Sequence, residues 1–176
     1  RLKCYEIPEG SRQSKGLNIA NLLPIEGDEK VTSMIKVPEF DDEKYLIMVT
    51  RQGIIKRIKL NAYNTSRKGG LIALELNEGD ELAWVRMTDG NSEVIVATKN
   101  GKAIRFNEND VRPMGRQARG VKAMKLLEDD VVVGMSVLRE NAYILTVSET
   151  GYGRLSSPEE YRLQSRGGKG IFTYKL

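Results

Sequence analysis

The chain has 176 residues, of which 40% are apolar and 30% charged, and its net charge of +4 favours an anionic partner only weakly. Such a composition is typical of one folded domain or one array of small repeats; no membrane-span or signal-peptide pattern occurs, so we expect a cytoplasmic protein with no membrane partner. Histidine is absent and Cys4 is the only cysteine, which excludes His-dependent hydrolase chemistry, an internal disulfide and cysteine-based metal sites.

The first of four predicted repeats, residues 1–37, has no strand pair ahead of its basic segment, so we expect it to be incomplete. That segment, called loop 1, covers residues 11–16 and has the sequence SRQSKG. An acidic turn centred on Asp28 follows it.

The second predicted repeat, residues 38–88, has its first strand at 45–50, one of the segments rich in Ile, Val, Leu and Tyr. Gly53 then closes a β-hairpin, because glycine is favoured in the tight turns that join antiparallel strands. Loop 2, residues 65–70, and an acidic turn at Asp80 complete the unit.

The third predicted repeat, residues 89–138, has the same order of features. A strand at 93–98 leads to a hairpin turn at Gly101. Loop 3, residues 112–122, and an acidic turn at Asp130 follow.

The fourth predicted repeat, residues 139–176, is also expected to be incomplete. It has a strand at 142–148, a hairpin turn at Gly151 and a short helical turn after Pro158, a residue suited to the first position of a helix. Loop 4, residues 162–170, comes last.

Three kinds of marker keep a period of about 50 residues. The hairpin glycines are 48 and 50 residues apart, the last glycines of the four loops 54, 50 and 50, and the aspartates of the acidic turns 52 and 50. A sheet of four short strands buries both its faces only against its neighbours, so this period predicts an all-β, propeller-like array of about four four-stranded blades. The pattern leaves open whether the array closes into a ring.

The four loops separate the charges of the chain. Their 32 residues hold 11 basic and no acidic side chains, whereas the other 144 residues carry 17 basic and 24 acidic ones, a net charge of −7. The basic residues of the loops are the candidate binding residues for an anionic partner: Arg12, Lys15, Arg67, Lys68, Arg112, Arg116, Arg119, Lys122, Arg162, Arg166 and Lys169.

Four acid-free basic loops, one to a repeat, predict a track for a polyanion. Interleaved glycines let backbone N–H groups approach an anion closely, and neighbouring hydroxyls and amides are suited to phosphate. The loops contain no aromatic residue, which favours a duplex backbone over stacked single-strand bases. The acidic turns fit a conformational role better than a metal site.

A family resemblance rests on loop 4, where residues 164–170 read QSRGGKG and resemble the gyrase A box, usually written QRRGGKG. Other strings, among them YEIPEGSRQSKG and IRFNENDVRPMGRQARGVKAMKL, are similar to the C-terminal domain of DNA gyrase A over essentially the whole chain. The box-like heptad consists of Gln164, Ser165, Arg166, Gly167, Gly168, Lys169 and Gly170.

The resemblance implies a β-pinwheel, a propeller-like disc whose blades exchange a strand with their neighbours and which wraps duplex DNA to support negative supercoiling. It implies as partners the rest of gyrase A and the gyrase B protein, in an A2B2 enzyme on the bacterial chromosome. ATP and magnesium serve other parts of that ATP-dependent topoisomerase, so we expect neither cofactor nor metal nor catalytic residue here. Ser165 stands where the principal box has arginine, so loop 4 resembles the related loop of a later blade.

Three alternatives remain. The protein of topoisomerase IV that corresponds to gyrase A has a related C-terminal domain with fewer, degenerate blades. A propeller can also serve as a platform for protein interactions. A freestanding enzyme is disfavoured, since the chain lacks histidine and shows no convergent set of acid, base and nucleophile.

Overall fold

The computed structural model describes residues 1–25, 27, 29–67 and 69–173. These residues contain ten strands, five short 3-10 helices and no α-helix, which confirms the predicted all-β class. The strands are β1 Tyr45–Thr50, β2 Ile54–Lys59, β3 Leu82–Thr88, β4 Glu93–Thr98, β5 Lys102–Asn107, β6 Val121–Lys122, β7 Val132–Val137, β8 Ile144–Val147, β9 Gly153–Ser156 and β10 Ile171–Phe172. Asp28 of the first acidic turn and Lys68 of loop 2 lie outside the described residues.

The three predicted hairpins form where apolar and β-branched segments flank a glycine turn. The strands expected at 45–50 and 93–98 have those bounds, whereas the one expected at 142–148 is shorter and covers Ile144–Val147. In each hairpin turn a glycine N–H donates to the carbonyl three residues earlier, at Gly53, Gly101 and Gly151.

A 3-10 helix follows each hairpin directly. These helices are Leu60–Tyr63, Glu108–Asp110 and Pro158–Glu160. The sequence predicted only the last of them, after Pro158. Its cap is Ser157, whose hydroxyl accepts a hydrogen bond from Glu159 N at 3.3 Å. Two further 3-10 helices, Cys4–Glu6 and Ile19–Asn21, lie in the first repeat.

The described strands form two four-stranded antiparallel sheets and one two-stranded sheet. The first sheet has the order β3-β1-β2-β6 and the second has the equivalent order β7-β4-β5-β10. The third sheet consists of the hairpin of β8 and β9, which corresponds to the hairpins β1-β2 and β4-β5 of the other two sheets.

Each four-stranded sheet takes its last strand from the following repeat. β6 belongs to the third repeat but pairs with β2 of the second, Val121 opposite Ile55. β10 belongs to the fourth repeat but pairs with β5 of the third, Ile171 opposite Ala103. This arrangement confirms the exchange of strands that the family resemblance implied.

The strands are distributed less evenly than four per repeat. In the first repeat the described residues form no strand, and the fourth repeat keeps only its hairpin, since β10 completes the preceding sheet. The physical reason is that a strand needs a ladder partner, and residues 1–37 contain no hairpin sequence that would begin one.

The largest hydrophobic core lies between the two four-stranded sheets. Ile47 and Val49 of β1 belong to one buried cluster with Val94 and Val96 of β4, and all four side chains are fully buried. Burying an aliphatic side chain of this size contributes roughly 1.5–3 kcal/mol. Because side chains alternate across a strand, the opposite faces carry separate clusters, and one of them includes Met48. The sheets therefore stack in chain order.

Candidate nucleic-acid interface

Loops 3 and 4 lie on equivalent edges of two successive sheets. Loop 3 leads into β6 beside β2, and loop 4 leads into β10 beside β5. An earlier residue of each loop also forms a parallel bridge with β2 or β5. These bridges pair Pro113 with Arg57 and Leu163 with Arg105. Loops 3 and 4 therefore occupy equivalent positions on successive sheets, one repeat apart.

Glycine is required where each of these loops turns into its strand. Gly120 and Gly170 adopt positive φ angles of 104° and 67°. A Cβ atom at Gly120 would lie 2.6 Å from the carbonyl oxygen of Ile55, and one at Gly170 would lie 2.5 Å from that of Ala103. At these two glycines the loop backbone therefore lies against the backbone of β2 or β5, and this contact fixes where β6 and β10 begin.

Loop 3 carries four of the predicted cations. Its backbone is anchored by Met114 N, which donates to the carbonyl of Arg57 at 2.8 Å. Arg116 is half-buried, and the other three side chains are exposed. These exposed cations are Arg112, Arg119 and Lys122.

Loop 4 contains the box-like heptad and has a similar anchor, since Gln164 N donates to the carbonyl of Arg105 at 2.9 Å. Arg162, Ser165 and Lys169 are exposed. Half-buried Arg166 has a second role, because it donates to two carbonyls of the third repeat. Its Nε lies 2.8 Å from the oxygen of Asp110 and its Nη1 lies 3.3 Å from that of Lys122.

Backbone hydrogen bonds join loop 4 to the segment that follows loop 3. Gly167 N donates to the carbonyl of Ala123 at 2.7 Å, and Lys125 N donates to that of Gly168 at 2.8 Å. The two loops are thereby held in a fixed lateral register. Lys125 is exposed beside loop 4 and lies outside the four basic loops defined from the sequence.

A buried lysine makes the corresponding connection between loops 2 and 3. Lys56 is fully buried in β2, and its Nζ donates to the carbonyl of Ala73, after loop 2, at 2.8 Å. It also donates to the carbonyl of Arg116 in loop 3. Burial lowers the pKa of Lys56, because the charged ammonium loses hydration. An exposed ion pair between Arg119 and Glu75, 2.7 Å apart, spans the same junction.

Loop 1 is not brought into this arrangement by any hydrogen bond or ion pair that the described residues show. Arg12 and Lys15 are exposed, in a segment without strands, and Arg67 of loop 2 is exposed as well. The structure thus links loops 2, 3 and 4 in sequence. The assignment of the eleven cations to DNA binding stays a prediction.

Two arginines that were not among the predicted functional residues bind the backbone immediately before loops 3 and 4. Arg57 in β2 and Arg105 in β5 each donate through Nη1 to two carbonyls of the next repeat, immediately before loops 3 and 4. The acceptors are Glu108 and Val111 for the first arginine, Pro158 and Tyr161 for the second. The signal was present, since the two arginines are 48 residues apart, as are the turn glycines of the same hairpins.

The aspartates of the second and third acidic turns bind backbone amides. Asp80 Oδ1 accepts from Gln52 N at 2.9 Å, and Asp130 Oδ1 accepts from Asn100 N at 3.0 Å. Each carboxylate therefore ties a hairpin turn to a strand of the same sheet. No cluster of three or more His, Cys, Asp or Glu suited to a metal ion occurs among the described residues.

Stacked antiparallel blades, each completed by a strand of the next repeat and bordered by basic loops, define a propeller-type repeat protein with a cationic edge. The chain belongs to the family described as DNA gyrase C-terminal domain, beta-propeller, whose model matches residues 1–38, 44–89, 92–139 and 142–176. Within the described residues, no helix has the length and apolar character needed to cross a membrane.

The chain is similar to longer proteins named as the A subunit of DNA gyrase. It is 50% identical over 176 residues to that of Clostridium acetobutylicum, an alignment covering 100% of this chain and 21% of the relative. For Staphylococcus epidermidis (strain ATCC 12228) the identity is 46% over 176 residues, with 98% and 20% covered. The chain thus spans about a fifth of the length of these relatives.

Two solved structures show the same architecture. The C-terminal domain of DNA topoisomerase IV matches with a TM-score of 0.87 and 30% identity, covering 96% of this chain and 53% of the other. A DNA gyrase A C-terminal domain matches with a TM-score of 0.82 and 31% identity, covering 97% and 54%.

Proposed function

We propose that this chain is a non-catalytic module that binds duplex DNA mainly through its phosphates and bends it along the edge formed by loops 2, 3 and 4. The observation that carries this proposal is the hydrogen-bonded register between successive loops, in particular Gly167 with Ala123 and Lys125 with Gly168. Cations held at fixed spacings on a rigid edge contact one phosphate backbone repeatedly.

The charge and exposure of the loops support phosphate contact. Arg112, Lys122, Arg162 and Lys169 are exposed, and the four loops contain no acidic residue. Smooth bending of 20–30 bp of DNA costs on the order of 1–6 kcal/mol, which several spaced charge contacts offset where one loop does not. Contacts of this kind confer little sequence preference.

The wider setting belongs to the same proposal. Membership of the gyrase C-terminal family supports a place beside the rest of gyrase A and the gyrase B protein in an A2B2 enzyme, within the bacterial cytoplasm and on the chromosome. There the bent segment favours negative supercoiling, while ATP and magnesium act in other parts of the enzyme. This chain itself needs no cofactor.

A second candidate is the corresponding domain of topoisomerase IV, which the structural match with a TM-score of 0.87 supports. Relatives named as gyrase A, at 46% and 50% identity over nearly the whole chain, favour the gyrase assignment.

The test is a salt titration of binding to a labelled duplex of about 40 bp, monitored by fluorescence anisotropy. If six to eight cations engage phosphates, the slope of log K against log salt is roughly −5 to −7. Arg162→Ala with Lys169→Ala makes the slope shallower by about 2, because two exposed contacts of loop 4 are lost.

The matched control is Arg86→Ala with Arg139→Ala. Both arginines are exposed, one in β3 and one just after β7, the strands at the opposite edges of the two sheets. We expect the control variant to keep its slope within about 0.5 of the original chain, less than one phosphate contact. Equal effects of the two double variants would contradict the loop edge as the binding surface. A chain that does not bind at low salt would favour a protein-interaction platform.

A further inference from the structure

The ion pair that spans the junction of loops 2 and 3 places an acidic side chain, Glu75, beside the basic loops. Glu75 Oε1 lies 2.7 Å from Nη2 of Arg119, and both side chains are about half exposed, at 51% and 62%. The hydrogen bond and the charge of Arg119 lower the pKa of the Glu75 carboxyl, so Glu75 is ionised at neutral pH.

The next junction has the opposite charge at the equivalent position. Lys125 stands 50 residues after Glu75, and Lys169 stands 50 residues after Arg119. Lys125 N bonds to the carbonyl of Gly168 at 2.8 Å, so Lys125 lies beside the residue that precedes Lys169. One junction therefore carries a neutralised pair and the other carries two exposed cations.

We propose that residue 75 determines how strongly DNA is held at the junction of loops 2 and 3. Glu75 competes with phosphate for Arg119, and once displaced it leaves a carboxylate facing the polyanion. DNA is consequently held more tightly at the junction of loops 3 and 4, where Lys125 and Lys169 add charge. This inference rests on the proposed DNA-binding function.

The contact has little structural importance, which makes it open to a clean test. Exposed ion pairs contribute little to folding, since solvent and salt screen them. Substitutions at residues 75 and 125 are therefore expected to change DNA affinity without shifting the urea midpoint of unfolding.

The experiment compares Glu75→Lys, Glu75→Gln and Lys125→Glu in the 176-residue chain, with a duplex of about 40 bp titrated between about 50 and 300 mM salt. The control is Glu140→Lys, which changes the net charge as much as Glu75→Lys does. Glu140 is exposed in the turn after β7, at the opposite edge of its sheet from β10.

Each added phosphate contact steepens the log–log slope by about 0.9, which corresponds to roughly eightfold in affinity at 0.1 M salt relative to 1 M. Glu75→Lys frees Arg119 and adds one cation, so we expect one to two further contacts, a slope steeper by about 0.9 to 1.8, and binding tighter by roughly 8- to 60-fold at 0.1 M salt relative to 1 M. Glu75→Gln produces a smaller change in the same direction, and Lys125→Glu weakens binding.

Two outcomes separate this inference from the proposed function. If the original chain binds DNA but Glu75→Lys changes affinity no more than Glu140→Lys does, the proposed role of residue 75 is wrong. The proposed DNA-binding function is then unaffected. If the original chain does not bind duplex DNA at low salt, both are wrong.

Discussion

At the scale of single residues, Gly120 in loop 3 and Gly170 at the end of loop 4 leave no room for a side chain. Gly120 has a φ angle of 104°, and an added Cβ would meet the Ile55 carbonyl oxygen at 2.6 Å. We therefore expect Gly120→Ala to lower the free energy of unfolding by about 2 kcal/mol or more, through left-handed strain and displacement of β6.

Gly115, in the same loop, provides the control for this substitution. An added Cβ there meets nothing within 4 Å. Urea unfolding should show a change of less than about 0.5 kcal/mol for Gly115→Ala. A cost for Gly120→Ala no larger than that for Gly115→Ala would contradict the close approach of loop 3 to β2.

A second residue-scale prediction concerns Tyr63, whose hydroxyl donates to the carbonyl of Ala73 at 3.1 Å. Burial raises the pKa of this phenol from 10.0 to about 12, although the charge of Arg116 acts in the opposite direction. The folded chain keeps the proton up to about pH 12, whereas the unfolded chain releases it near pH 10. The stabilisation is thus complete below pH 10 and is lost as the pH rises towards 12.

The check is the free energy of unfolding of the original chain and of Tyr63→Phe, measured in urea at pH 9 and pH 11. We expect the original chain to lose more stability than the variant between these pH values, because the phenylalanine has no proton to release. Parallel losses in the two proteins would show that Tyr63 titrates alike in the folded and unfolded states.

At the scale of elements, the contact between the second and third repeats depends on a buried ion pair. Nε of Arg57 lies 3.3 Å from Oε2 of Glu108, with side-chain exposures of 5% and 0%. The same carboxylate accepts from Thr88 Oγ1 and from Ser92 N, each at 2.7 Å. Glu108 thus joins β2, the end of β3 and the turn that follows it.

We expect Arg57→Met to cost about 3–5 kcal/mol in urea unfolding, because it leaves the Glu108 carboxylate buried without its cation. Arg105→Met should cost less, since the Arg105 and Glu93 side chains are 18% and 29% exposed and water partly replaces the lost contact. Combining Arg57→Met with Glu108→Gln should restore part of the loss. If Arg57→Met and Arg105→Met lower the free energy of unfolding equally, burial of the Arg57–Glu108 pair does not increase its contribution to stability.

The repeated elements are also where the sequence was most informative. Gly53 and Gly101 indicated the hairpins, since an apolar run, a glycine turn and a second run are local features that need no tertiary contact. The two-residue strands β6 and β10 could not be predicted, because Val121–Lys122 and Ile171–Phe172 carry too few residues for a periodic signal. They are strands only because a neighbouring repeat supplies the ladder.

The candidate site also has a part that the sequence predicts and a part that it does not. The exposed cations of loops 3 and 4 were evident from charge counts alone, whereas the buried contacts beneath them were not. Lys56 lies within β2, and the sequence gives no indication that its ammonium joins Ala73 to Arg116. Such roles depend on the approach of segments that are 17 and 60 residues away.

At the scale of the whole molecule, the overall charge of +4 is divided between the four basic loops and an acidic remainder. The loops contribute 11 positive charges, and the remaining 144 residues carry a net −7. If the chain binds duplex DNA as proposed, the acidic remainder disfavours contact elsewhere and directs the duplex to the loop edge. The junction of loops 3 and 4, with its hydrogen bonds from Gly167 and Lys125, belongs to this edge.

The most direct test of DNA bending by this chain is relaxation of a closed circular plasmid by a type I topoisomerase in the presence of the 176-residue chain, followed by removal of protein and separation of topoisomers. If the chain bends duplex DNA around its basic edge with the hand that supports negative supercoiling, the mean linking number shifts in the positive direction as protein is added, and Arg162→Ala with Lys169→Ala reduces the shift. A distribution identical to that of protein-free plasmid, at concentrations where anisotropy shows saturated binding, would contradict bending around the loop edge.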